Sequence, residues 1–155
     1  MREKKLVIFF PSIEGGGVDK NFFLITNYLS KIFNKITVIT TNKHEAKTKL
    51  SKKIEIIGPN NKLLSVSSRY PKYFFCILYL LNFLILNKSS LIFSFQANGY
   101  ASLISKFFNI DIVTRSNSSS EGWSKSIIKI FLYKIFLKFP NEIIVNSYEF
   151  KKNIT

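Results

Sequence analysis

The segment Leu6–Thr41 limits most sharply what this chain can become. Leu6-Val7-Ile8-Phe9-Phe10 is an unbroken apolar run, and the loop Pro11-Ser12-Ile13-Glu14-Gly15-Gly16-Gly17 follows it. A continuous apolar run suits a strand of a parallel sheet that is covered on both faces. Consecutive glycines open backbone conformations that other residues avoid. Val18, Phe22, Ile25, Leu29 and Ile32 then recur every three or four residues, the spacing of one apolar helix face. Asp19 falls in the first turn, where a carboxylate favours the positive helix end, and Asn34 suits a closing left-handed cap. Lys35–Thr41, rich in β-branched residues, reads as a second strand. Strand, glycine loop, helix and strand form a βαβ unit, with parallel strands and a right-handed crossover.

The same alternation continues along the 155 residues. His44–Lys53 is polar and basic, a loop or short helix. Ile54–Ile57 is a short strand closed by Gly58-Pro59. Asn60–Pro71 is polar and turn-like, and Lys72–Leu86 is an apolar helix. Ser90–Phe95 is a strand, followed by Gln96-Ala97-Asn98-Gly99 and a helix through about Phe108. Asp111–Thr114 is a strand leading into a polar loop, Arg115–Ser124. Ser126–Phe139 is a helix with apolar residues nearly all round it, stopped by Pro140. Glu142–Val145 is the last strand, and Asn146-Ser147 opens a further helix. Such alternation implies an α/β fold, a parallel sheet sandwiched by helices, in one domain. A hydrophobic fraction of 46% excludes a disordered chain.

The apolar stretch Tyr73–Leu86 is shorter than the roughly 20 residues a spanning helix needs, so it reads as a buried or interfacial helix. The N-terminal apolar run is too short for a signal peptide. Cys76 is the one cysteine and lies in an apolar run, a small buried hydrophobe that forms no internal disulfide. A reducing, cytoplasmic setting fits.

The net charge of +14 has three readings. Lysines neutralise nucleic-acid phosphates, or attract an anionic membrane surface by about 1 kcal/mol each. Alternatively they reflect base composition, because Lys, Asn, Ile and Phe share codons rich in A and T. No nucleic-acid recognition motif is present, so no specific nucleic-acid partner is expected. Lys125, Lys129, Lys134 and Lys138 punctuate an aromatic helix, which suits either peripheral contact with anionic lipid or snorkelling from a buried helix. His44, the single histidine, has neither the companions of a metal site nor those of a triad, so no metal is expected.

Gly15, Gly16 and Gly17 lie between a strand and a helix N-terminus, where backbone amides can approach a phosphate. The dinucleotide fingerprint fails, since Lys20 occupies its third glycine position and Thr40-Thr41-Asn42 supplies no acid after the second strand. The P-loop pattern is absent as well. Gln96 and Asn98 follow a strand, at the edge where open α/β sheets bind ligands; a polar loop cap is the alternative. Arg115, Ser116 and Asn117 follow another strand, and an arginine there can clamp a phosphate or carboxylate. Trp123, in the same loop as Glu121, reads as a loop anchor. Asn146 and Ser147 either line the cleft or cap the next helix, and the cap is preferred.

Leu6–Lys20, read as strand, Pro-Ser, three glycines and Val18-Asp19-Lys20, resembles the opening of family 4 GT-B glycosyltransferases, with Asp19-Lys20 where that family usually has Glu-Arg. The strand before Gln96, Thr114-Arg115-Ser116-Asn117 and Ile143-Ile144-Val145-Asn146-Ser147 are similar in order. The resemblance implies a Rossmann-like domain, the N-terminal, acceptor-side half of a two-domain enzyme. It implies transfer of a sugar from a nucleotide-sugar to a glycan or lipid-linked acceptor at the inner face of the cell membrane, with no further cofactor. By the same resemblance Gly15, Gly16 and Gly17 face donor phosphates, Gln96, Asn98, Arg115 and Asn117 lie at the cleft, and no catalytic residue is assigned. The donor-binding domain is expected outside this chain. The competing expectation is a non-catalytic, membrane-associated binding subunit that pairs with a separate donor-binding domain.

Overall fold

The computed structural model describes residues 5–60, 68–88, 90–116, 131, 134–146 and 151. Its strands are β1 (Lys5–Phe9), β2 (Ile36–Ile39), β3 (Glu55–Ile57), β4 (Ser90–Ser94), β5 (Ile112–Ser116) and β6 (Glu142–Val145). The helices are α1 (Gly17–Leu29), α2 (Lys43–Lys49), α3 (Arg69–Leu86) and α4 (Asn98–Phe108). All six strands form one sheet in the order β3-β2-β1-β4-β5-β6, and every neighbouring pair is parallel. The fold is α/β and Rossmann-like, with the strand order reversing between β1 and β4.

The unbroken apolar run of β1 is explained by its two buried faces. Leu6, Ile8 and Phe10 point to one layer with Phe22 of α1 and Ala46 of α2. Val7 and Phe9 point to the other, with Cys76, Leu80 and Leu84 of α3 and Ala101 of α4. Successive side chains of a strand alternate in direction, so a strand covered on both sides must be apolar throughout. Phe10 and Phe22 stack at 4.4 Å between centroids, and Phe95 meets Phe22 edge-on at 5.6 Å. This aromatic knot locks α1 onto the centre of the sheet.

Several boundaries differ from the sequence reading. α1 ends at Leu29, short of Asn34, because Lys31 and Ile32 donate to the carbonyls three residues back and tighten the chain into turns. Ile32, read as part of the apolar face, is therefore exposed. α3 begins at Arg69, three residues ahead of Lys72, since Pro71 sits in the first turn, where its missing N–H costs nothing. Arg115 and Ser116 belong to β5 rather than to a loop, paired with Ile144 and Val145 of β6. Most of the helix expected over Ser126–Phe139 lies outside the described residues, as do Asn117, Glu121, Trp123 and Ser147.

Candidate functional site

At the carboxyl edge of the sheet, beside the point where its order reverses, a cleft of about 370 Å³ opens between the ends of β4 and β5 and the first turns of α3 and α4. Open α/β sheets bind ligands at this position because the adjoining connections leave toward opposite faces and part there. Val18, Arg69, Tyr73, Gln96, Asn98 and Arg115 all contribute to its walls.

Arg115 is the most unusual group in the cleft. It is 7% exposed, fixed by the β5–β6 pairing, and has no acidic partner among the described residues. One terminal nitrogen donates to Asn146 Oδ1 at 2.8 Å, while the other, Nη1, is buried without a hydrogen-bond partner. The guanidinium carbon lies 5.9 Å from the centroid of Phe95. Burial pulls the arginine's pKa below its ordinary value, though a guanidinium still keeps its proton near neutral pH. A desolvated cation with an orphaned donor is costly unless a ligand completes it.

Gln96 and Asn98 also line the cleft, but each spends hydrogen-bonding capacity on holding strand ends together. Gln96 Oε1 accepts the Ser12 N–H at 3.1 Å and so bridges the switch point. Asn98 accepts from Ser94 Oγ at 2.8 Å and donates to the Arg115 carbonyl at 2.9 Å. Between them Ala97 occupies the left-handed region at φ 53°. A non-glycine residue there costs on the order of 1 kcal/mol, and such strain collects at ligand sites.

The glycine loop takes an arrangement that its spacing did not disclose. The Asp19 carboxylate is buried and folds back to accept the N–H groups of Glu14 at 2.8 Å, Gly16 at 3.2 Å and Gly15. The concavity of amides is thus filled by the protein's own anion. Only Gly15, at φ 87°, has a backbone that demands glycine; a Cβ on Gly16 or Gly17 would meet nothing within 4 Å. Val18, the next residue, reaches the cleft wall.

The sequence reading missed the contribution of α3. Arg69 donates from Nε to both carboxylate oxygens of Glu14, at 3.0 and 2.9 Å, and ties the helix start to the glycine loop. That contact, assisted by Ser12 and Lys72, holds the Glu14 pKa below the usual carboxylate range, while Glu14 raises that of Arg69. Lys72 is buried and donates to Ser12 Oγ at 3.2 Å. Burial raises the pKa of Tyr73, on the cleft wall. A Ser ahead of a first-turn proline, Ser68 and Pro71, was the available signal for the helix start. Asn146, preferred as a helix cap, accepts a hydrogen bond from Arg115, and the residues that would follow it in the capped helix lie outside the described ones. His44 is exposed, and no group of residues suited to a metal occurs among the described residues.

No protein-family model matches the chain, and no curated protein matches it. Fold and site together define a class: a Rossmann-like α/β domain with a cationic switch-point cleft. Among the described residues, no helix is long and apolar enough to cross a membrane.

Proposed function

We propose that this chain is the acceptor-side domain of a GT-B-type glycosyltransferase and that its cleft takes a phosphate-bearing ligand. The ligand is a nucleotide-sugar donor or a glycan or lipid-linked acceptor, met at the cell membrane's inner face. The buried guanidinium of Arg115, in the cleft and unpaired with any acid among the described residues, carries this reading. A phosphate oxygen at Nη1 would complete its hydrogen bonding and neutralise its charge in a site of low dielectric, where such contacts are strong. The ordered resemblance of the sequence motifs supplies the sugar; fold alone would not.

A second reading is a non-catalytic binding subunit that pairs with a separate donor-binding domain. The composition of the cleft favours it: the described residues lining the cleft include no carboxylate and no imidazole, the usual proton-transfer groups.

Transfer of radiolabelled sugar by the complete gene product, over a panel of nucleotide-sugars and lipid-phosphate acceptors, separates the two. Transfer that Arg115→Gln diminishes is the expected outcome. Tight phosphate-ligand binding without transfer would establish the binding subunit, and neither binding nor transfer would dismiss both readings.

A further inference from the structure

Among the described residues, three buried side-chain polar atoms have no hydrogen-bond partner, and two of them belong to residues that line the cleft. One is Arg115 Nη1. The other is Ser102 Oγ on α4, a side chain with no solvent exposure. The third, Thr26 Oγ1 of α1, lies away from the cleft walls. Buried polar atoms are paired as a rule, and each exception asks for a reason. Two exceptions in one cavity share a simple one: a ligand completes them.

The two orphaned atoms lie on opposite faces of the sheet. Side chains alternate along β5. Ile112 packs into the core layer beneath α3 and α4, and Val113 packs against the layer beneath α1. Thr114 therefore points with Ile112 toward α4. Arg115 points with Val113 toward the α1 side, where its guanidinium meets Phe95. Asn98 donates to the Arg115 carbonyl at 2.9 Å and ties the first turn of α4 to β5. Ser102 follows one turn later on the same face of the helix, over β5 on the Thr114 side. The strand backbone stands between Ser102 and the guanidinium, so one small anion cannot satisfy both. A ligand that does so has two parts, one on each side of the strand ends.

The chemistry of the Ser102 side identifies the second part. Of the side chains lining the cleft only Arg69 and Arg115 are charged, and Arg69 is held by Glu14. On the α4 side the cleft is lined by Gly99, Tyr100, Thr114 and Phe136. A Cβ added to Gly99 would stand 2.6 Å from the Phe136 ring. The ring is therefore seated on the first turn of α4 and forms a fixed apolar wall. A serine hydroxyl both donates and accepts, which suits another hydroxyl better than an ion. A sugar offers hydroxyls at its edge to Ser102 and C–H groups on its faces to an aromatic ring. A purely apolar body would leave Ser102 Oγ orphaned. We propose that Ser102 and Phe136 form a sugar subsite, so that a sugar bonded directly to phosphate lies across the ends of β4 and β5, phosphate to Arg115 and ring to Ser102. This rests on the phosphate reading of Arg115; it adds where the sugar lies and which hydroxyl reads it.

Calorimetric titration of the full chain with inorganic phosphate, a hexose phosphate and an alkyl phosphate of similar size tests this. The hexose phosphate should bind at least about tenfold more tightly than inorganic phosphate. Ser102→Ala should weaken the hexose phosphate about fivefold and leave inorganic phosphate unchanged. The same substitution should keep the melting midpoint or raise it by about 2–4 °C, because it removes an orphaned hydroxyl. A serine needed only for the fold would not give that combination. Phe136→Leu should likewise weaken the hexose phosphate alone, and it decides the matter should Ser102→Ala fold poorly. Three results would overturn the subsite and leave the Arg115 reading standing: equal affinity for hexose phosphate and inorganic phosphate; an alkyl phosphate bound as tightly as the hexose phosphate; or an equal loss on both ligands in Ser102→Ala. Absence of binding by all three ligands to the native chain would overturn the subsite and the phosphate reading together.

Discussion

Replacing Arg115 with methionine should move stability and ligand affinity by very different amounts. Arg115 is 7% exposed, with one guanidinium bond to Asn146 and one orphaned nitrogen. Losing the charge-assisted bond costs about 1.5–3 kcal/mol, and the contact with Phe95 adds about 0.5–1 kcal/mol. Against this, an uncompensated buried cation carries a desolvation penalty of several kcal/mol, which an apolar side chain of similar length removes. These terms nearly cancel, so unfolding free energy should change by no more than about 1 kcal/mol, or roughly 2–4 °C in melting midpoint for a chain of this size. Anion binding has no such compensation. Loss of about 3 kcal/mol of charge-assisted bonding weakens the dissociation constant about 150-fold. Urea denaturation gives the first quantity, and calorimetric titration with pyrophosphate and a nucleoside diphosphate sugar gives the second. Arg115→Lys should fall between, keeping the charge but not the fork. A stability loss above about 3 kcal/mol with ligand affinity unchanged would refute the reasoning and make Arg115 a structural residue.

Three further outcomes follow from the geometry. Gly58→Ala should cost at least about 3 kcal/mol in urea denaturation, because its Cβ would stand 2.0 Å from the Thr40 carbonyl oxygen at φ 151°; Gly17→Ala, with open space around it, should stay within about 0.5 kcal/mol. Glu14, held below its ordinary pKa chiefly by Arg69, stabilises the fold above its unfolded value of about 4.3 and ceases to do so as pH falls through the lower folded value. Glu14→Gln should therefore flatten the decline of the urea midpoint below about pH 4.5, by only a few tenths of a kcal/mol, since the pair is open to solvent. The Cys76 thiol, buried and pushed up to about 12 by desolvation, should resist a disulfide reagent at pH 8 until urea is added; rapid labelling of the native chain would contradict its place in the core.

The sheet was largely legible because its signals are local. Each strand is a short apolar run with turn residues beside it, and β6 falls on Glu142–Val145 as its pattern predicts. Boundaries moved where a non-local partner decides. Arg115 reads as loop from its polar neighbours and becomes strand through its pairing with β6, a contact across the chain that no local window contains. The carboxyl edge of the sheet was legible for Gln96 and Asn98 because they follow a strand, whereas Arg115 lies inside β5, one residue from its end. Their individual roles were not: the Gln96 bond to Ser12 spans 84 positions, and the Asn98 bond to Arg115 spans 17. The Arg69 pairing with Glu14, 55 positions away, was hidden for the same reason. Asp19 was read as a helix-end carboxylate, and only the folded loop shows it bound to three amides.

That carboxylate has a kinetic consequence. Three consecutive glycines would ordinarily form a loop that orders only when a ligand arrives, surrendering about 1–2 kcal/mol of backbone entropy per residue at that moment. Here Asp19 holds Glu14, Gly15 and Gly16 before any ligand comes. If the ligand proposed above reaches this loop, it meets a loop already shaped, and association should then run as one concentration-dependent step, with no slower phase for loop closure behind it.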